Sequence, residues 1–316
     1  AAPVVRLGHR GVVRAVACSA DGKWLVTASD DGAVRVSSTD TLEAGRELTG
    51  LPLAASAVAV SRHAGFVVAG TAQGHLMVWD PSSDVGRQVG TYGGGVVALT
   101  VGPLGKEVLV ADRRRMLSRV STQTWRRIGG PQKLGSGGQN YAAAISGDGG
   151  TVVVVNGGRG RKVIPRNTRT NKVAIQLDAI DNVTRVVTGY HGRWLVSGSS
   201  GGAIQIAALG DSTTVKTVQH GEPLTSLAMH PTRPLFASGG VTGTILLWNA
   251  ETGVGRQVVG STVRSSVTAL AWASTGDQLL VATADRSMAR VDTAHGAVTD
   301  RLLAAPPGAP LLALTD

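Results

Sequence analysis

The sequence predicts an all-β chain built from seven tandem units of four short antiparallel strands. Three observations carry that reading. First, long stretches repeat: "VWDPSSDVGRQVG" (78–90) matches "LWNAETGVGRQVVG" (247–260), and "DGKWLVTASDDGAVRV" (21–36) lies without gaps over "HGRWLVSGSSGGAIQI" (191–206). The paired tryptophans, Trp79 with Trp248 and Trp24 with Trp194, stand 169 and 170 residues apart, which is four periods of about 42 residues. Second, each period alternates apolar and polar residues over short runs bounded by Gly, Asp, Ser and Pro, the mark of half-buried strands joined by tight hairpins. Third, no window shows a capped helical period.

The units follow in order. Unit one (12–50) carries the turns "SADG" and "DDG", and unit two (51–90) ends its third strand on Trp79. In unit three (91–135), "VLVADRRRMLSRVST" lies over "LLVATADRSMARVDT" of unit seven, so Arg113, Arg114 and Arg115 fill the turn between the second and third strands. Unit four (136–180) has "SGDGG" and "GGRGRK" as its turns, unit five (181–220) has "GSSGG", and unit six (221–262) has "VTG" before Trp248. Unit seven (263–305) ends in "TDRLLA" (299–304), an outer strand that competes for one place with "PVVRLGH" (3–9) if seven units close a ring; "PLLALTD" (310–316) reads as the inner strand of a further unit.

A period of this length, with four strands and a Trp closing the third, resembles the WD40 family of β-propellers. Trp79-Asp80 is a WD pair, Trp248-Asn249 is close to one, and Gly8-His9 is a GH pair. The resemblance implies a single seven-bladed β-propeller over 1–316, with 1–11 and 306–316 as closure segments. It also implies a hydrogen-bonded tetrad of Asp, His, Ser or Thr, and Trp, which no unit keeps whole. The first has His9, Ser29 and Asp30 or Asp31 but Val36 for Trp; the sixth has His220, Ser238 and Trp248 but Val241-Thr242 in the turn.

Bulk composition agrees with a packed chain: of 316 residues 42% are hydrophobic and 16% charged, and 43 glycines supply the turns. No apolar run nears the roughly 18 residues of a membrane span. Cys18 is the sole cysteine, which excludes an internal disulfide and suits a reducing, cytoplasmic setting. The lack of an initiator Met and of a signal peptide predicts a domain cut from a longer chain. Richness in Ala, Gly, Val and Arg suits a bacterial source, where such propellers often follow kinase, protease or NTPase domains.

Catalytic constellations are missing from the sequence pattern. Ser200 in "GSSGG" sits in a G-x-S-x-G match, yet a strand follows it and not the helix of a nucleophile elbow. "GPLGKEV" (102–108) lacks the spacing of a phosphate loop, and "GGRG" (157–160) has no following helix. The seven histidines fall in different turns, without metal-ligand spacing, and Cys18 on an apolar inner strand reads as an inert thiol. The chain reads as non-catalytic, with no cofactor or metal.

Charge is the remaining signal. The net charge is +10, and all of the excess lies in residues 91–180, with 14 Lys and Arg against 4 acids. Residues 111–127 alone hold six arginines. By the alignment, Arg113, Arg114, Arg115, Lys133, Arg159, Arg161 and Lys162 gather on one sector of the face that carries the second-to-third-strand turns, while Arg119, Arg126 and Arg127 lie on the third and fourth strands of the outer wall. Such a sector attracts an acidic protein or peptide surface. Nucleic acid is the weaker alternative, because only Tyr92, Trp125 and Tyr141 are available to stack bases. An enzyme with a composite site at the central channel is the second alternative.

Overall fold

In a computed structural model, 28 strands form seven separate four-stranded antiparallel sheets, each drawn from one continuous segment. The structure describes residues 8–19, 21–39, 45–61, 65–80, 83–135, 140–156, 162–189, 191–210, 214–258, 265–295 and 297–302. Blade one holds β1 (Val13–Cys18), β2 (Trp24–Ser29), β3 (Val34–Ser38) and β4 (Arg46–Leu48), and blade two β5 (Ala55–Val60), β6 (Val67–Thr71), β7 (His75–Trp79) and β8 (Arg87–Thr91). Blade three holds β9 (Val96–Val101), β10 (Glu107–Asp112), β11 (Met116–Ser121) and β12 (Gln132–Lys133), and blade four β13 (Asn140–Ile145), β14 (Thr151–Asn156), β15 (Lys162–Asn167) and β16 (Leu177–Asp178). Blade five holds β17 (Val183–Thr188), β18 (Trp194–Ser199), β19 (Ala203–Ala208) and β20 (Thr214–Gln219). Blade six holds β21 (Leu224–Met229), β22 (Leu235–Gly240), β23 (Ile245–Asn249) and β24 (Gly255–Gln257), and blade seven β25 (Val267–Trp272), β26 (Gln278–Thr283), β27 (Met288–Asp292) and β28 (Ala297–Leu302). The fold class read from the sequence therefore holds: a seven-bladed β-propeller with four antiparallel strands per blade.

The core is divided among the seams. Seven clusters of buried residues each join two neighbouring blades, because a sheet with both faces apolar must bury each against a neighbour. Central strands such as β10, "EVLVAD", and β14, "TVVVVN", accordingly read as near-continuous apolar runs. At the closing seam, Val13 and Leu25 of blade one meet Ala269, Leu280, Ala282 and Met288 of blade seven. Among the described residues no strand is exchanged there: β28 takes the outer place in blade seven and β4 the outer place in blade one. Side-chain bonds cross the same seam, from Arg290 to the Thr39 carbonyl (2.6 Å) and from Arg286 to that of Arg10 (3.2 Å). Residues 3–7 and 310–316 lie outside the described residues.

Every inner strand contains a one-residue bulge near its start. Arg14, Ser56, Val97, Tyr141, Thr184, Thr225 and Thr268 are the extra residues, each skipped in the pairing with the second strand. A bulge re-aims neighbouring side chains and increases local twist. All seven lie at the same end of the blades, beside the β2–β3-type turns, so the upper rim of the channel is shaped by them.

Candidate functional site

The inner strands surround an axial cavity of about 670 Å³ that opens on this upper face. A second cavity of about 540 Å³ opens among the first-to-second-strand turns of the opposite face and is lined by Cys18. Burial pushes the Cys18 thiol up to about 12, so this half-buried sulfur stays protonated and unreactive.

The turns on the upper face share one geometry. In blade three the chain reverses through Asp112–Met116: the Arg113 amide donates to the Gly95 carbonyl (2.9 Å) and that of Arg115 to the Asp112 carbonyl (3.1 Å). Equivalent bonds run from Asp30, Ser200, Val241 and Ala284 to the segments ahead of their inner strands. Arg115 occupies the left-handed position, φ 63°, that Gly32, Gly74, Gly202 and Gly243 take in other blades. Its guanidinium is folded back onto the Gly135 carbonyl (3.0 Å), so the side chain tethers a loop.

The arginine-rich sector therefore divides. Arg113 and Arg114 are exposed; Arg114 lies in the field of the Asp112 carboxylate, whereas no ion pair joins Arg113 to a carboxylate among the described residues. Arg113 reaches the cavity mouth, whereas the Arg114 stem lies over Gly93. Lys133 is exposed on β12, paired in register with Met116. Lys162 forms an ion pair with Asp178 of the adjacent outer strand, which offsets its charge. Arg159 and Arg161 lie outside the described residues. Arg119 is bound by Glu107 (2.7 Å) on the outer part of the sheet. Arg126 and Arg127 precede β12, but Arg127 forms an isolated antiparallel bridge to Val120 of β11 and sits over the Tyr92 ring, 4.8 Å from its centroid.

Two of the tetrads are partly present, with corrections to the expected members. In blade one, His9 Nε2 lies 2.8 Å from Thr27 Oγ1, and the serine expected in that role, Ser29, instead accepts the Asp31 amide. His9 Nδ1 donates to Asp31 Oδ2 (3.2 Å), because an ionised carboxylate only accepts. Burial raises the Asp31 carboxyl, but the His9 bond and the Ala33 and Arg10 amides outweigh it and hold the group well below the usual carboxylate range.

In blade six the Trp248 indole N–H donates to Ser238 Oγ (2.7 Å), which leaves the Ser238 hydroxyl to donate to His220 Nδ1 (2.8 Å). The proton of His220 then sits on Nε2, facing Glu222 Oε1 at 3.7 Å. Glu222 does the work of the missing turn aspartate: it accepts the Thr242 amide (3.1 Å), the Thr242 hydroxyl and the Thr244 amide (3.3 Å). Burial lowers the His220 pKa below its ordinary value, and Glu222 opposes that shift only in part. Nothing in the sequence pattern marks Glu222, since it enters from the loop before β21 and not from the turn.

No group of three or more metal-ligating side chains occurs among the described residues, and no helix there is long and apolar enough to cross a membrane. Ser200 sits in a tight β18–β19 hairpin, its amide bonded to the Asn182 carbonyl, and no helix follows.

Comparison with known proteins agrees with the geometry. The WD domain, G-beta repeat family matches residues 2–36 and 212–249, which include the blade-one His9 cluster and the blade-six His220–Ser238–Trp248 chain. Together with the seven four-stranded blades, these matches support a WD40-repeat β-propeller. Propellers of this family are commonly protein-interaction scaffolds and are usually non-catalytic. No curated protein matches the chain.

Proposed function

We propose that the chain is a non-catalytic protein-interaction module that docks an acidic surface or peptide on its upper face, over blades three and four. The exposed pair Arg113 and Arg114 on the β10–β11 turn, of which Asp112 offsets only Arg114, supports this reading, with Lys133 beside it on β12. The turn is stiffened from below by Arg115 and by Asp112, whose Oδ1 accepts the Met116 amide (2.9 Å), so little ordering opposes binding. Tyr92 and Trp125, which a single-strand binder needs at its surface, are 3% and 9% exposed.

The test is fluorescence anisotropy with a labelled oligo-glutamate peptide in low salt. Each arginine lost from the pair weakens binding about tenfold, the loss of one charge-assisted hydrogen bond. Equal affinity for wild type and an Arg113→Ala/Arg114→Ala variant overturns the proposal. Tighter binding of a single-stranded oligonucleotide than of the peptide also overturns it.

A further inference from the structure

The bulges place one position of every inner strand in register around the upper rim. Directly after the bulge come Ala15, Ala57, Ala98, Ala142, Ser226 and Ala269, all small, but blade five has Arg185. One long cation thus breaks a ring of small residues, and all of them line the same cavity. Arg185 is held there: Nε donates to the Thr225 carbonyl (2.7 Å) and one terminal nitrogen to that of Thr184 (2.9 Å), while the other terminal nitrogen has no partner among the described residues. Water reaches the side chain through the cavity, yet surrounding protein desolvates it and lowers its pKa from the ordinary arginine value.

Two further cations reach the cavity. Arg14, the bulge residue of blade one, is paired with Asp30 (2.6 Å), and Arg113 of blade three has no carboxylate partner among the described residues. Blades one, three and five are two, two and three steps apart in a ring of seven, so the three guanidinium groups are spaced almost evenly about the axis and their positive potentials add on it. After Asp30 offsets Arg14, two positive charges remain uncompensated. The Thr268 hydroxyl, a bulge residue of blade seven on the cavity lining, is buried without a partner. Farther in, the walls are apolar, with Val58, Leu99, Ala143 and Val186 among them.

We propose that this shaft is a binding site for a small amphipathic anion, with its oxyanion head on Arg185 and Arg113 and its apolar body among the alanines. The volume, about 670 Å³, falls within the roughly 300–1,000 Å³ of small-molecule sites. The lining sorts the ligand by chemistry: guanidinium forks match carboxylate or phosphate, and the wall below offers the ligand body apolar contact in place of water. The site shares Arg113 with the proposed docking surface, but Arg185 and the shaft wall belong to it alone and Arg114 and Lys133 take no part in it, so the two bindings are separable.

Isothermal titration calorimetry on the intact chain, in low-salt buffer without competing oxyanions, tests it with four probes: hexanoate, hexyl phosphate, inorganic phosphate and hexylammonium. Hexanoate or hexyl phosphate binds at one equivalent, and the tighter of the two identifies the head group; hexylammonium does not bind. Arg185→Gln weakens that binding at least tenfold, and Ala143→Leu, which fills the shaft and leaves the charges in place, does the same. Arg126→Gln leaves it unchanged. Should Arg185→Gln fail to fold, Arg113→Gln, whose side chain holds nothing in place, reads the same head group. Absence of binding by both amphipathic anions, equal binding by the folded arginine variant, or inorganic phosphate binding as tightly as hexyl phosphate overturns the proposal. An Arg114→Ala variant that loses the acidic peptide but keeps the anion separates this site from the rim.

Discussion

Asp31 and His220 respond to acid in the same direction for opposite reasons. Asp31 is held ionised by His9 and two backbone amides, so its contribution is present above about pH 4, the unfolded carboxyl value, and is lost as pH falls toward its lower folded value. His220 is held neutral by burial, so the unfolded chain takes up a proton first, and stability declines once pH drops below about 6.5. Urea midpoints measured against pH are expected to fall in two steps, below about 6.5 and again below about 4. Asp31→Asn shrinks the second step, which Asp292 beside His295 still feeds, and leaves the first. Replacing Glu222 with Ala strips the Thr242 and Thr244 amides of their acceptor, with an expected cost of about 1–3 kcal/mol in chemical denaturation.

At the scale of the element, the upper-face turn shows how one backbone requirement divides a run of identical side chains. Three arginines are consecutive, but the third must take φ 63°, and its side chain is thereby committed to the Gly135 carbonyl. Arg115→Ala keeps the left-handed backbone and loses the tether, whereas Arg115→Gly loses the tether but relieves the backbone. The glycine variant is therefore expected to be more stable than the alanine variant by about 1 kcal/mol. Gly74 occupies the same place in blade two, where an added Cβ collides with the Tyr92 carbonyl oxygen, so Gly74→Ala is expected to lower the melting temperature more than Arg115→Ala does. Thermal melts of the three variants decide both points.

Among the described residues the ring is closed by packing and a few side-chain bonds, so its seventh seam responds to mutation as a core does. Leu280, 1% exposed between blades seven and one, is expected to cost about 2–5 kcal/mol when changed to Ala, seen as a lower urea midpoint. The repeat that builds this ring was plain in the sequence, because alternating strands and Gly- or Asp-bearing turns are local signals. Arg113 and Arg114 were legible for the same reason, as a charged turn found by aligning two repeats. Arg185 was not, since a lone arginine in "VTRVVT" has no local mark. Only the inner strands stacked in register show it among six small residues. Glu222 escaped notice because it serves a turn twenty residues away from outside that turn.

The Trp248–Ser238–His220 chain turns the indole proton into a clock for blade six. Trp248 is 6% exposed, Ser238 0% and His220 5%, so that proton can trade with solvent deuterium only when the blade opens. Its exchange rate, read from a single tryptophan resonance, times the openings that expose blade six.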